Sequence, residues 1–113
     1  MKITNQSKNT LLADTVLIAD GPFSRMRGLL GKKSLPDRHA LIISPCNSVH
    51  TCFMRFPIDV LFLNKENKVI AVVNAMKPFR LSKVYFNVHF VIELPAGTTG
   101  SSLTSPGDTL FIR

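Results

Sequence analysis

The segment Ser48–Val60, SVHTCFMRFPIDV, sets an imidazole, a thiol, a thioether, a guanidinium and a carboxylate among apolar neighbours. If residues 48 to 54 are extended, the period-two alternation of a strand puts Ser48, His50, Cys52 and Met54 on one face, with Cys46 nearby. Nitrogen and sulfur donors of this kind suit Cu(I) or Zn(II). Four donors spread along one strand do not converge on a tetrahedral point, however, and no CxxC or HxxxH spacing is present. Cysteine and methionine are also ordinary core fillers. A nucleophilic arrangement would use Cys46 or Cys52 as thiolate, His50 as base and Asp59 as orienter. It requires a lowered thiol pKa, and no predicted helix amino terminus precedes either cysteine. Soft-metal binding and Cys/His-dependent catalysis therefore rank below a binding role, and no cofactor or metal is expected.

Asp59 is the most informative residue of the segment. In FPIDVLFL its neighbours are apolar, and Asp59, Leu61 and Leu63 share one strand face. A carboxylate at the mouth of an apolar strand needs partners, because burying it bare is costly. The candidates are His50, Arg55, Arg27 and the backbone N–H groups of a turn. One reading makes Asp59 and His50 a polar lock that anchors the chain after Pro57. The other makes them part of a ligand-binding rim with Arg25, Arg27 and Arg55, whose guanidinium groups suit carboxylate or phosphate.

Fourteen basic side chains against seven acidic ones give a net charge of +7. That balance favours an anionic partner, be it a small ligand, a protein, nucleic acid or a membrane surface. The cations are scattered rather than run together. Phe53–Arg55–Phe56 and Phe79–Arg80 interleave aromatics with cations as single-stranded nucleic-acid binders do, so nucleic acid stays as an alternative partner. Yet with eight phenylalanines and no tryptophan, most of those rings are needed for a core. Glycines in LPAGTTG lack the lysine of a phosphate-binding P-loop.

The elements that must position these residues are mostly strands. KIT reads as a short strand, QSKN as a turn, and TLLADTVLIA as one longer strand. In DGPFSRMRGLLG, Pro22 suits a first helical position, Phe23, Met26, Leu29 and Leu30 share a helical face, and Gly31 can terminate it. This predicts one short helix near residues 22–30. ALIIS reads as a buried strand. IDVLFLN and KVIAVVNAM form a hairpin about the turn NKEN. KPFRLSK is a loop, NVHFVIEL a strand, TTGSSLTSPGD a turn-rich connection and TLFIR a last strand. Short strands with frequent glycine and proline turns predict a mostly β, barrel-like fold in a single domain over residues 1–113.

The amino-terminal MKITNQSKNT carries no continuous apolar run, and no stretch is long enough to span a bilayer, so a cytoplasmic location without a membrane span is expected. Cys46 and Cys52 fit a reducing compartment. Six extended steps between them would cover roughly 20 Å, so only a sharp turn near Pro45–Asn47 could bring them to disulfide distance. Reduced thiols are the expectation.

RMRGLLG (Arg25–Gly31), VHTCFMRFPIDVLFLN (Val49–Asn64), KVIAVV (Lys68–Val73), VIELPAG (Val91–Gly97) and PGDTL (Pro106–Leu110) together resemble the prokaryotic family called domain of unknown function 192. The resemblance covers about residues 9–113. It implies a compact, mostly β domain and no settled activity. Where that family usually has an aromatic, this chain has Cys52, and where it often has Gly-Met before the strand at Leu41, His39–Ala40 stands instead. Neither position is therefore expected to carry a shared chemistry.

Overall fold

The computed structural model describes residues 1–19, 21, 34–51 and 54–113. Among these, the strands are β1 (Ile3–Asn5), β2 (Thr10–Ala13), β3 (Thr15–Ala19), β4 (His39–Ile43), β5 (Ile58–Leu63), β6 (Val69–Met76), β7 (Phe90–Pro95) and β8 (Leu110–Ile112). A single helical turn, α1 (Thr98–Ser101), falls inside the connection expected to be turn-rich. The helix expected near residues 22–30 lies outside the described residues.

The mostly β expectation holds, but the strands do not close into a barrel. Among the described residues they form a three-stranded sheet ordered β2-β1-β8 and a five-stranded sheet ordered β3-β4-β7-β5-β6. The cause is local. TLLADTVLIA is not one strand: it breaks at Asp14, where the N–H groups of Asp14 and Thr15 both donate to the Arg38 carbonyl, at 2.9 and 3.1 Å. β2 thus stays with β1 in the small sheet, and β3 passes to the large sheet, where it runs parallel to β4.

β5 lies inside the large sheet between β7 and β6, and every residue of IDVLFL is buried. A strand covered on both faces needs an unbroken apolar run rather than alternation. Leu61 and Leu63 face Ile42, Ile92 and Leu94, together with Ile3, Leu12 and Leu110 of the small sheet. Ile58, Val60 and Phe62 face the opposite way, among Leu41, Ile43, Val91, Val49 and Met54. The Phe62 ring lies 4.5 Å from that of Tyr85, centroid to centroid. The hairpin turn is as expected, with the Asn64 side-chain carbonyl accepting from the N–H groups of Glu66 and Lys68, at 3.0 and 2.9 Å.

A polar corner closes the small sheet. The fully buried Asn5 amide donates to Asp108 at 2.9 Å and to Thr104 at 3.1 Å, while Lys8 reaches Asp108 at 2.8 Å. Burial by itself would raise the Asp108 pKa. Hydrogen bonds from Asn5, Lys8 and the Ser105 N–H, with the Lys8 charge, outweigh that and bring it down to about 2.

Glu93 has the opposite environment. It sits on β7 on the same side as Val91, with Leu41 and Val60 opposite it on the neighbouring strands, and is only 5% exposed. Burial pushes its carboxyl up to about 7 from an ordinary 4.5. The folded protein therefore holds this proton in a pH range where the unfolded chain releases it. The resulting stability is fully present below about pH 4.5, falls as pH rises through the window and is gone above about 7. Glu93→Gln is expected to remove this decline. At pH 8 the variant should be the more stable protein, by on the order of 3 kcal/mol. Urea midpoints at pH 5 and pH 8 check this, and an unchanged pH slope in the variant would refute it.

Candidate functional site

Residues 46–51 run alongside residues 79–89 and hold them by backbone bonds. The Thr51 N–H donates to the Arg80 carbonyl at 2.9 Å, and the Phe79 N–H to the Thr51 carbonyl at 3.0 Å. Ser82 N–H meets the Val49 carbonyl at 2.9 Å, Tyr85 N–H the Asn47 carbonyl at 3.0 Å, and Cys46 N–H the His89 carbonyl at 2.9 Å. The pairing is antiparallel, with a bridge between His50 and Leu81. Irregular spacing keeps both segments from being regular strands.

Thr51 is the central point of this contact and has no solvent exposure. Its hydroxyl donates to the Lys77 carbonyl at 2.5 Å and accepts from the Arg80 N–H at 2.8 Å. The Ser82 hydroxyl adds a second tie, accepting from the Val49 N–H at 2.9 Å and donating to the Lys83 carbonyl at 2.9 Å. A loop that would otherwise be a free connection after β6 is thus fixed at Lys77, Phe79, Arg80, Ser82 and Tyr85.

The fixed loop forms one wall of an open groove of about 500 Å³. Lys77, Arg80 and Lys83 line it, along with Met76, Leu81 and Tyr85. Between Glu66 and Glu93 the chain contains no acidic residue. The groove therefore gathers three cations with no carboxylate from its own stretch of chain to neutralise them.

Asp59 supports the same loop from the other side. β5 and β6 pair Ile58 with Met76 and Val60 with Val73, so Asn74 and Ala75 stand opposite Asp59 alone, a bulge with Ala75 at φ 47°. The Asp59 carboxylate, 1% exposed, accepts from the Ala75 N–H at 2.7 Å. Its other oxygen accepts from the N–H groups of Gly97 and Thr99, at 3.1 and 2.9 Å, and from the Thr99 hydroxyl at 2.8 Å. One carboxylate thus joins the end of β6 to the turn that opens α1.

Of the residues expected from sequence to form a site, Asp59 points inward and takes its partners from turn N–H groups and the Thr99 hydroxyl, not from His50. His50 and Arg55 are exposed, and His50 adjoins the groove through its bridge to Leu81. Arg25 and Arg27 lie outside the described residues, as does Cys52. Cys46 donates to the Ser48 carbonyl at 3.0 Å. His50 is exposed while Met54 is buried, and the Met54 N–H donates to the Thr51 carbonyl at 3.1 Å. Among the described residues no cluster of three His, Cys, Asp or Glu could hold a metal ion. No helix among them is long and apolar enough to cross a membrane. Sequence reasoning does not single out Thr51, Lys77 or Lys83. The signal it offers is a stretch of cations and apolar residues without any acid, which is invisible when cations are considered one at a time.

The fold and groove define a small two-sheet β domain with a cationic loop stapled to its face. The chain belongs to the family DUF192, described as an uncharacterised ACR, whose model matches residues 2–112. A UPF0127 protein of Pyrococcus horikoshii is 35% identical over 96% of this chain and 96% of its own. One of Pyrococcus furiosus is 32% identical over 94% and 93%. Among solved structures, a protein of unknown function from Novosphingobium aromaticivorans matches with a TM-score of 0.83 at 17% identity, covering 98% of this chain and 82% of that one. A Sinorhizobium meliloti protein provisionally described as a transcription regulator matches with a TM-score of 0.81 at 23% identity, covering 97% and 89%. At such identities the two structures share the fold with this chain.

Thr51→Val keeps the shape of the side chain and removes the hydroxyl. It leaves the buried ends of two hydrogen bonds unmet, and a loss of about 1–3 kcal/mol is expected. Denaturant unfolding measures the loss, and amide exchange at Arg80 should accelerate with it. A variant as stable as the parent, with Arg80 still protected, would show that the hydroxyl does not hold the loop.

Proposed function

We propose that this chain is a small binding domain that takes an anionic group, a carboxylate or a phosphate, in the groove of Lys77, Arg80 and Lys83. The observation that carries the reading is the meeting of three cations on one rigid wall without an acidic neighbour in sequence. His50 extends the proposed rim from the other segment of the staple, and Arg55, Arg25 and Arg27 belong to the same proposal. Asp59 serves by holding β6 and α1 beneath the rim rather than by touching the ligand. The Arg80 guanidinium suits a planar or tetrahedral oxyanion, and the two lysines add point charges that adapt to either. Pre-fixing the loop lowers the ordering cost that a mobile cationic loop would incur on binding.

Tripolyphosphate is a suitable soluble probe. The protein should bind it, and more weakly as salt is raised, because exposed charges are screened. A Lys77→Gln, Arg80→Gln, Lys83→Gln triple variant should lose about tenfold or more in affinity, if each contact is worth about half to one kcal/mol. Its melting temperature should stay close to the parent's, since all three residues are exposed. Calorimetric titration reads the affinity. Equal affinity of the triple variant and the parent would end the proposal.

A further inference from the structure

The groove does not stand alone. Leu81 is 78% exposed, Phe79 63% and Val84 54%, and all three belong to the loop that carries Lys77, Arg80 and Lys83. A lone exposed apolar side chain is unremarkable on a folded protein. Three within six residues are different when the backbone between them is tied down and cannot fold them inward. Leu81 lines the groove itself beside the cations. Phe86 is more exposed still, but it lines a separate groove with Lys65 and Glu66 and is left out of this patch.

We infer that this loop docks on an anionic lipid surface, an inference that rests on the groove's taking anionic groups and names the source of those groups. Apolar tips interleaved with cations match the boundary of a bilayer, where acyl chains begin a few ångströms below a layer of phosphates. Leu81, Phe79 and Val84 enter the acyl boundary, and Lys77, Arg80 and Lys83 meet the headgroups. Two other occupants fit less well. A second copy of this chain would bring the same uncompensated cations against these. Single-stranded nucleic acid stacks its bases on flat rings, whereas two of the three tips, Leu81 and Val84, are aliphatic. The staple from residues 46–51 matters here too, because a shallow insertion needs tips held outward.

Co-sedimentation with vesicles tests this on the full chain. The protein should sediment with phosphatidylcholine vesicles that contain phosphatidylserine, and should stay in solution with phosphatidylcholine alone. Phe79→Ser with Val84→Ser alters only exposed positions that do not line the groove. It should lower vesicle partitioning by about fivefold or more while tripolyphosphate affinity is unchanged, because the apolar tips act only at a lipid boundary. The Lys77, Arg80, Lys83 triple variant should lose both. If tripolyphosphate binds but vesicles do not, lipid docking is wrong and the groove reading stands. Lipid docking is equally refuted if the serine variant sediments like the parent, or if a single-stranded oligonucleotide is bound and vesicles are not. If neither tripolyphosphate nor vesicles bind, both readings fall.

Discussion

A carboxylate placed inside an apolar strand must be given hydrogen bonds, and the way Asp59 obtains them governs the geometry around it. Its two oxygens accept from Ala75, Gly97 and Thr99, elements that follow it by sixteen to forty residues. To meet the first of these, β6 must bulge opposite Asp59. To meet the others, the chain leaving β7 must turn at once into α1. The need to satisfy a buried charge is thereby converted into a fixed direction for β6 where it leaves the sheet. Removing the partners would strand the charge, which is why such arrangements are destabilising to break even when they are not net stabilising to form.

The loop that follows β6 is fixed by a second, independent device. Thr51 is buried beneath it and commits both hydroxyl functions to its backbone, while the main chain of residues 46–51 supplies a ladder of further bonds. Together the two devices bracket residues 77–85 between a clamped origin and a stapled middle. Cations and apolar side chains on such a loop keep their relative positions without a partner. A flexible loop of the same composition would collapse its apolar residues inward or lose ordering entropy on each encounter. Within Ser48–Val60, Thr51 and Asp59 thus hold the loop and the end of β6 in place.

Much of this fold is legible in the sequence because apolar patterning is local. IDVLFL, KVIAVVNAM and ALIIS declare themselves as strands, and the NKEN turn between the first two follows from its residues. The break at Asp14 is not legible, since it depends on a carbonyl at Arg38 that accepts from both Asp14 and Thr15. Nor does the sequence exclude a barrel, because short strands with frequent turns describe open and closed sheets equally. For Asp59 the need for partners follows from its apolar neighbours, and turn N–H groups are among the candidates. Choosing them over His50 requires knowing that Ala75 and Thr99 come alongside. Thr51 gives no signal at all: a threonine beside a histidine is ordinary until its hydroxyl is seen to bridge Lys77 and Arg80.

The staple can be measured without any ligand. Native-state amide hydrogen exchange followed by NMR reports on Phe79, Arg80 and Ser82 individually, and each of these N–H groups donates to residues 49–51. If the loop is held as described, all three exchange slowly, well below the rate of an unstructured peptide. Exchange at the unstructured rate for these amides would mean that residues 77–83 are not stapled to residues 49–51, and the rigid cationic face built on that contact would not exist.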